Sequence, residues 1–221
     1  MHSTNALLAI TVLATAAAAP ARAHESPGIL PMETVIDRPR VVTTARALEV
    51  VRFWREAGPA LWFAKDEAFD RRFRERFLLD HEAAARGEYE HWQSTPEGAL
   101  ALILLLDQFP RNAFRGTPRM YDTDSMARKI AGTAFAAGYE RAFEKEMQKF
   151  FLLPFAHSED LADQERAVAL ARRLGGKDFE QAQHHRDIVR RFGRFPHRNS
   201  ILGRVSTAEE REYLDNGGYR G

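Results

Sequence analysis

The sequence has no cysteine and no excess of charge of either sign. Without cysteine the chain can form no disulfide, no thiolate zinc site and no cysteine nucleophile. Its 32 Lys and Arg residues against 31 Asp and Glu residues give a formal net charge of +1. A protein that binds nucleic acid through the phosphates normally has a basic surface. We therefore predict no nucleic-acid partner.

Several catalytic and cofactor-binding motifs are also absent. The chain contains no glycine-rich phosphate loop, no G-x-S-x-G nucleophile elbow and no H-E-x-x-H metal motif. His184 and His185 are adjacent, and neighbouring side chains on a helix point about 100° apart. Because both cannot easily serve one ion, we predict no metal site, and we predict no cofactor.

The N-terminus has the pattern of a secretory signal over residues 1–23. An apolar core, Ala6–Ala19, precedes a small-x-small ending at Ala23. Cleavage there would give a periplasmic or secreted protein, and no later segment is apolar enough for a stable membrane span. If translation starts at Met32 instead, the product is cytoplasmic.

We predict that residues 24–42 form an N-terminal lead segment and that residues 43–221 form one domain. Helical periodicity recurs along this domain with caps and with Gly or Pro stops. No alternating run of β-branched residues separates the helical segments, and the connections are short. We predict an all-α fold of antiparallel helices.

The most distinctive segment is apolar at every position from Ala99 to Leu106. We predict a helix from Pro96 to Phe109 that is surrounded by other helices, with Pro110 ending it. Asp107 would lie at the negative end of the helix dipole, where a nearby cation has to compensate its charge. The sequence therefore predicts a buried polar cluster at this end.

Two later helices carry polar residues on their apolar stripes. The first, capped by Ser158, has Gln164 and Glu165 on its apolar face, and the second has His185 and Arg186. A carboxylate that faces a core is tolerated when it is paired. We therefore expect Glu165 to point inward and to pair with Arg186 or His185. The helix before Ser158 is predicted to end at Pro154.

Two segments share the order Phe-Pro, Arg, Asn: QFPRN at 108–112 and RFPHRN at 194–199. One interpretation is that their arginines only cap helix ends. The other is that arginines and asparagines converge on a pocket for a carboxylate or phosphate. The candidate ligand-binding residues are Asp107, Arg111, Asn112, Glu165, Arg186, Arg194, His197, Arg198 and Asn199. His157 and His185 are candidate acids or bases.

Five stretches together identify a family. They are FW at 53–54, WFAKDEAFD from Trp62, LDQFPRNAFRG from Leu106, LPFAHSEDLADQE from Leu153 and HRDIVRRFGRFPHRNSILGR from His185. With these the chain resembles a bacterial family known as domain of unknown function 924. The resemblance implies an all-helical fold similar to tetratricopeptide-type superhelices, and it supplies no activity, substrate or catalytic residue. The family pattern begins near Phe53 without an export signal.

Three functions are compatible with these patterns. The first is a helical scaffold that binds a small anionic molecule or a peptide terminus in the Arg/His/Asn-lined pocket. The second is an enzyme in which His157 or His185 transfers protons on an anionic substrate and arginines stabilise negative charge. The third is a satisfied polar core with a structural role alone. A helical fold does not decide among them.

Overall fold

A computed structural model of the protein describes residues 43–221. The predicted signal and the lead at 24–42 lie outside the described residues. Between residues 43 and 221 the regular elements are helices, and no strand is present. The all-α prediction is confirmed, while the tetratricopeptide-like arrangement stays a prediction. No helix of this part of the chain is long and apolar enough to cross a bilayer.

The α-helices are numbered in chain order. They are α1 (Ala45–Ala57), α2 (Pro59–Trp62), α3 (Glu67–Ala85), α4 (Pro96–Ile103), α5 (Phe109–Ala113), α6 (Asp124–Ala137), α7 (Lys145–Ala156), α8 (Leu161–Leu174), α9 (Gly176–Phe192) and α10 (Ala208–Asp215). Short 3-10 helices cover Glu90–Ser94, Pro118–Met120, Tyr139–Ala142 and Pro196–Arg198.

The apolar segment forms the central rod of the core. Every residue from Ala99 to Leu106 is buried, and α4 packs against α1, α6 and α7. At Gly98 the rod passes so close to the Trp92 carbonyl that a Cβ atom would lie 2.1 Å from its oxygen. The expectation that other helices surround this helix is therefore met.

The rod does not end at Phe109 as expected. Leu104–Gln108 form a π-helical segment, and α5 then continues to Ala113 with Pro110 inside the helix. Pro110 has no N–H to donate to the carbonyls of Leu105 and Leu106. Other side chains satisfy those carbonyls: His81 Nδ1 lies 2.9 Å from the Leu105 oxygen, and Thr123 Oγ1 donates to the Leu106 oxygen.

Two expectations about the later helices are also wrong. Pro154 lies within α7, which continues to Ala156, so it does not end that helix. Asp160 caps α8 through the N–H groups of Ala162 and Asp163, where Ser158 was expected to be the cap. The Ser158 hydroxyl instead donates to the Asp163 carboxylate.

A smaller apolar cluster holds the C-terminal part of the chain. Ile188 and Val189 of α9 pack with Phe195, and Tyr213 and Tyr219 pack against them. α8 and α9 are joined by Gly175 alone and pack against each other, so the chain reverses direction there. The 3-10 helix Pro196–Arg198 follows Phe195 directly, and its Arg198 lies over the ring of Tyr121.

Candidate functional site

A cavity of about 720 Å³ lies where the π-helical segment, α5, the C-terminal end of α7, α9 and the Pro196–Arg198 turn come together. Its walls combine apolar and basic side chains. The basic residues of the wall are Lys65, Arg111, Arg115, Lys149, Lys177, Arg198 and Arg220. Among the described residues of the wall, Asp178 is the single acidic side chain. The cavity is therefore strongly biased towards positive charge.

Carboxylates neutralise part of this charge. Arg111 pairs with Asp124 at 2.8 Å, and Arg115 pairs with Asp70 at 2.8 Å. A third ion pair, between Lys149 and Asp178, measures 2.9 Å. Within residues 43–221, Lys65, Lys177, Arg198 and Arg220 have no carboxylate within 4.0 Å, so positive charge is left over.

Arg198 is the most unusual of these cations because it is buried. The residue is 7% exposed, and its Nε has no hydrogen-bond partner among residues 43–221. Its guanidinium carbon lies 4.5 Å from the ring centroid of Phe195 and 4.7 Å from that of Tyr121. Burial, together with the charge of Arg111, lowers the pKa of Arg198. Two aromatic rings thus contact this cation through their faces.

Arg111 approaches the same aromatic ring as Arg198. Its guanidinium carbon is also 4.7 Å from the centroid of Tyr121, and it donates to the Met120 carbonyl. Burial lowers the pKa of Arg111, but the charges of Asp124 and Asp107 more than offset this and raise it. Arg111 therefore stays cationic, and the two guanidinium groups share one aromatic neighbour.

Beneath the wall, Asp107 and His157 form a buried pair. Asp107 is 0% exposed, and its Oδ1 lies 2.8 Å from His157 Nδ1. Its other oxygen accepts a hydrogen bond of 2.7 Å from Gln108 Nε2. Burial raises the pKa of Asp107, but His157 and Arg111 outweigh burial, so the pKa lies below its ordinary value. The carboxylate is therefore ionised and held at both oxygens.

The two other histidines of the wall are held neutral. Burial lowers the pKa of His185 to about 3, with the charges of His157 and His184 adding to the effect. Burial and the neighbouring Arg198 lower the pKa of His197 to about 4. His185 Nε2 also lies 2.8 Å from Gln181 Nε2, an amide donor. His185 is thus a poor base near neutral pH.

Aromatic side chains form another part of the wall, which is partly open to solvent. Trp62 stands edge-on to Phe150 with ring centroids 5.0 Å apart, and Phe63 stacks on the same Phe150 at 6.1 Å. Phe63 is 60% exposed although it belongs to this aromatic cluster. An exposed aromatic ring at a cavity offers a surface for the apolar part of a ligand.

The sequence model of a family described as "Bacterial protein of unknown function (DUF924)" matches residues 50–218. The chain belongs to this family. The solved "Structure of Protein of Unknown Function ATU0120 from Agrobacterium tumefaciens" is 54% identical, with a TM-score of 0.77. That similarity covers 78% of this chain and 98% of the other. No curated protein matches the chain. The family and the fold are thus shown, and neither carries an assigned activity.

The structure of this family member divides the residues predicted from sequence into two groups. Arg111, Asn112, His197 and Arg198 line the cavity, as do His157 and His185, while Asp107 lies directly beneath His157. The side chain of Asn112 donates to Asp70 at 2.7 Å. Glu165, Arg186, Arg194 and Asn199 are not part of the wall.

Glu165 of α8 and Arg186 of α9 do not line the cavity. Gln164 is buried, but Glu165 is exposed and pairs with Arg190 at 2.5 Å. The expected Glu165–Arg186 pair is present only as a 3.9 Å contact near the surface. Arg186 contacts Asp187 more closely, at 2.8 Å. The expectation of an inward-facing Glu165 is therefore wrong.

Arg194 and Asn199 are bound to a different carboxylate. Glu210 is 2% exposed, and Arg194 Nε donates to it at 2.6 Å. The Asn199 amide and the Thr207 backbone N–H donate to the same carboxylate, at 3.2 and 2.7 Å. These contacts fix α10 against the 194–199 turn, so both residues serve the local structure.

Sequence reasoning missed Phe63, Tyr121 and Gln108. Phe63 lies in a connection after α2, and an aromatic residue beside Lys65 in a loop could have indicated a binding surface. Tyr121 follows the Pro118–Met120 turn, and the residues alone give no sign that it meets Arg111 and Arg198.

Within residues 43–221 no group of three or more His, Asp or Glu side chains could hold a metal ion.

Proposed function

We propose that the cavity binds a small molecule that carries a carboxylate or phosphate group and an apolar, preferably aromatic, body. The observation that supports this most strongly is Arg198, a buried guanidinium without a carboxylate partner in the described part of the chain. Removing a cation from water costs several kcal/mol. An anionic group bound against Arg198 would offset that cost.

The neighbourhood of Arg198 fits an oxyanion. A guanidinium presents a planar fork of N–H donors that matches a carboxylate or a phosphate. Arg111 also contacts the ring of Tyr121 and adds a second positive charge there. His197 adds a neutral imidazole. Two guanidinium groups and an imidazole are therefore available to one bound oxyanion.

The size and the remaining walls fit a small molecule. Pockets for small ligands measure roughly 300–1,000 Å³ and are mostly apolar with a few placed polar groups, and this cavity measures about 720 Å³. Phe63, Trp62 and Leu153 supply an apolar wall. We infer a ligand whose anionic group meets Arg198 and whose body lies against these side chains. A peptide C-terminus offers the same carboxylate.

Thermal unfolding in the presence of defined anions tests this proposal. Acetate, phosphate, benzoate, phenyl phosphate and a short peptide ending in phenylalanine form the panel. We expect the aromatic anions to raise the Tm most, and benzyl alcohol, their neutral analogue, to have no effect. Arg198→Met should abolish the shift.

Arg191→Met provides the matched control. Arg191 is an exposed arginine that pairs with Glu209 at 2.8 Å outside the cavity, so its loss should leave the anion shift intact. If no anion raises the Tm of the wild type, or if both variants lose the shift equally, the proposal fails. The polar cluster would then be a structural core.

A further inference from the structure

We propose that His157, held by Asp107, transfers a proton in the hydrolysis of an ester whose anionic group is bound in this cavity. This inference rests on the proposed function and adds a reaction to it. His157 is the acid–base group, and Asp107 is a positioning residue that fixes its tautomer. The observation behind it is the contact between a fully buried carboxylate and a histidine of the cavity wall.

The geometry leaves one nitrogen of His157 available. Because Asp107 is ionised, His157 Nδ1 must carry the proton that bridges the 2.8 Å to Oδ1. Nε2 then has a lone pair, and no described residue forms a hydrogen bond with it. The His157 side chain is 18% exposed, on the wall of the cavity. A carboxylate that holds an imidazole in this way makes Nε2 the base.

The position of Asp107 in the rod supports a role beyond packing. It lies in the π-helical segment, a local distortion that is frequent at functional sites. Gln108, the next residue, donates to its second oxygen and itself lines the cavity. Burying a carboxylate at this depth is costly unless its partners are well placed. The distorted turn thus supplies a fixed, charged support for one imidazole.

His185, in the same wall, has the properties of a structural histidine. It is 4% exposed, its Nε2 is occupied by Gln181, and its pKa of about 3 keeps it neutral. His157 differs in both exposure and free nitrogen, although both residues face one cavity. The two sequence candidates for proton transfer therefore separate, and His157 is the one that can act.

The residues of the wall indicate water as the nucleophile. Among its described residues there is no Ser, Thr or Cys side chain that His157 could activate. A water molecule can lose a proton to Nε2 while its oxygen bonds to the ester carbonyl carbon. Arg198 holds the anionic group of the ester, and Arg111 supplies positive charge for the oxyanion that forms.

The second half of the reaction returns the proton. The bond between the carbonyl carbon and the alcohol oxygen breaks, and that oxygen takes the proton from Nε2. One ester and one water thus give one carboxylic acid and one alcohol, and His157 ends neutral. No oxidant, reductant or metal enters this balance.

Hydrolysis of two 4-nitrophenyl esters tests the proposal in the full-length protein. The monoester of terephthalic acid carries a free carboxylate that cannot reach its own ester carbonyl, whereas 4-nitrophenyl benzoate has no charge. We expect the wild type to accelerate hydrolysis of the charged ester more than that of the benzoate, each relative to the reaction without protein. His157→Gln and Asp107→Asn should each lose about 10²–10⁴-fold in rate, the usual range for acid–base catalysis. Arg191→Met should keep the rate.

Anion binding is measured in the same variants so that the two proposals fail separately. If succinate or benzoate raises the Tm of the wild type and of His157→Gln, but wild type and His157→Gln hydrolyse the ester equally, the proton-transfer proposal is wrong and binding stands. If neither binding nor hydrolysis is seen, both proposals fail.

A spectroscopic measurement covers the possibility that Asp107→Asn does not fold. Nitrogen-15 chemical shifts of the wild-type imidazoles report which ring nitrogen carries the proton. The neutral His157 must be protonated on Nδ1. Protonation on Nε2 would exclude this nitrogen as a base and would overturn the proposal without any variant.

Discussion

His157 Nδ1 lies 2.8 Å from Asp107 Oδ1, although fifty residues separate the two in the chain. The contact joins the π-helical segment of the central rod to the C-terminal end of α7. It connects the most deeply buried carboxylate of the cavity region with a side chain that reaches the cavity. The core of the fold therefore determines the orientation of one group of the wall.

This pair should make part of the stability depend on acid. The pKa of Asp107 is lowered in the folded protein, so its contribution is complete above the ordinary Asp value and is lost as the pH falls below about 4. Asp107→Asn should lower the free energy of unfolding at pH 7 by about 1–3 kcal/mol. Urea unfolding between pH 2 and 7 should show the difference shrinking in acid, and a constant difference would contradict the assignment.

His185 should give a second, separate pH effect at higher pH. The unfolded chain binds a proton near pH 6.5, whereas folded His185 binds one only near pH 3. His185 should therefore make wild-type stability fall with decreasing pH over this range by up to about 1.4 kcal/mol per unit, and His197, whose pKa is lowered to about 4, adds to this slope. His185→Gln should reduce the slope, and His184→Gln, at an exposed neighbouring position, should not. Equal slopes in all three proteins would show that His185 is accessible to protons when folded.

Local patterns predicted the helices well but failed at two prolines. Periodicity and caps located the rod, since an all-apolar run of eight residues needs other helices around it. The same patterns predict that the rod ends before Pro110, because a proline inside a helix usually leaves the carbonyl four residues earlier without a donor. Thr123 and His81 satisfy those carbonyls from distant positions in the sequence. A donor supplied by tertiary structure cannot be read from the local pattern.

The same limit applies to the candidate site. The likeness of their two segments predicts that Arg111 and Arg198 converge, and the structure brings both to Tyr121. Arg194 belongs to the same pattern, yet buried Glu210 binds it instead. Residue types identify the cations, but which carboxylate pairs with which arginine depends on packing. Packing therefore decides which cation is left without a partner.

Thr123→Val tests the explanation for the uninterrupted rod. The substitution keeps the shape of a buried side chain but removes the donor to the Leu106 carbonyl. We expect the free energy of unfolding to fall by about 1–3 kcal/mol. Thr133→Val, at an exposed position on α6, should change it by less than about 0.5 kcal/mol. If both variants behave alike in urea unfolding, the carbonyl has another partner.

Arg198 and Arg194 should respond in opposite ways to the same substitution. Arg198→Met removes a buried cation without a described carboxylate partner, so stability without added anions should rise, by on the order of 1–4 kcal/mol. Arg194→Met leaves buried Glu210 without its arginine and should lower the free energy of unfolding. Urea unfolding of both variants checks this, and a loss of stability in Arg198→Met would reveal a structural partner.

Phe63 should determine the preference for aromatic anions. It is 60% exposed and lies on the cavity wall, so Phe63→Ser should leave the free energy of unfolding nearly unchanged. An aromatic contact contributes about 0.5–1.5 kcal/mol, which corresponds to roughly a 2- to 12-fold change in Kd. Titration calorimetry should therefore show benzoate binding weakened by this factor and acetate binding unchanged. Leu79→Ser, an exposed apolar position outside the cavity, is the control. Equal weakening of both anions in Phe63→Ser would mean that the ring shapes the cavity and does not contact the ligand.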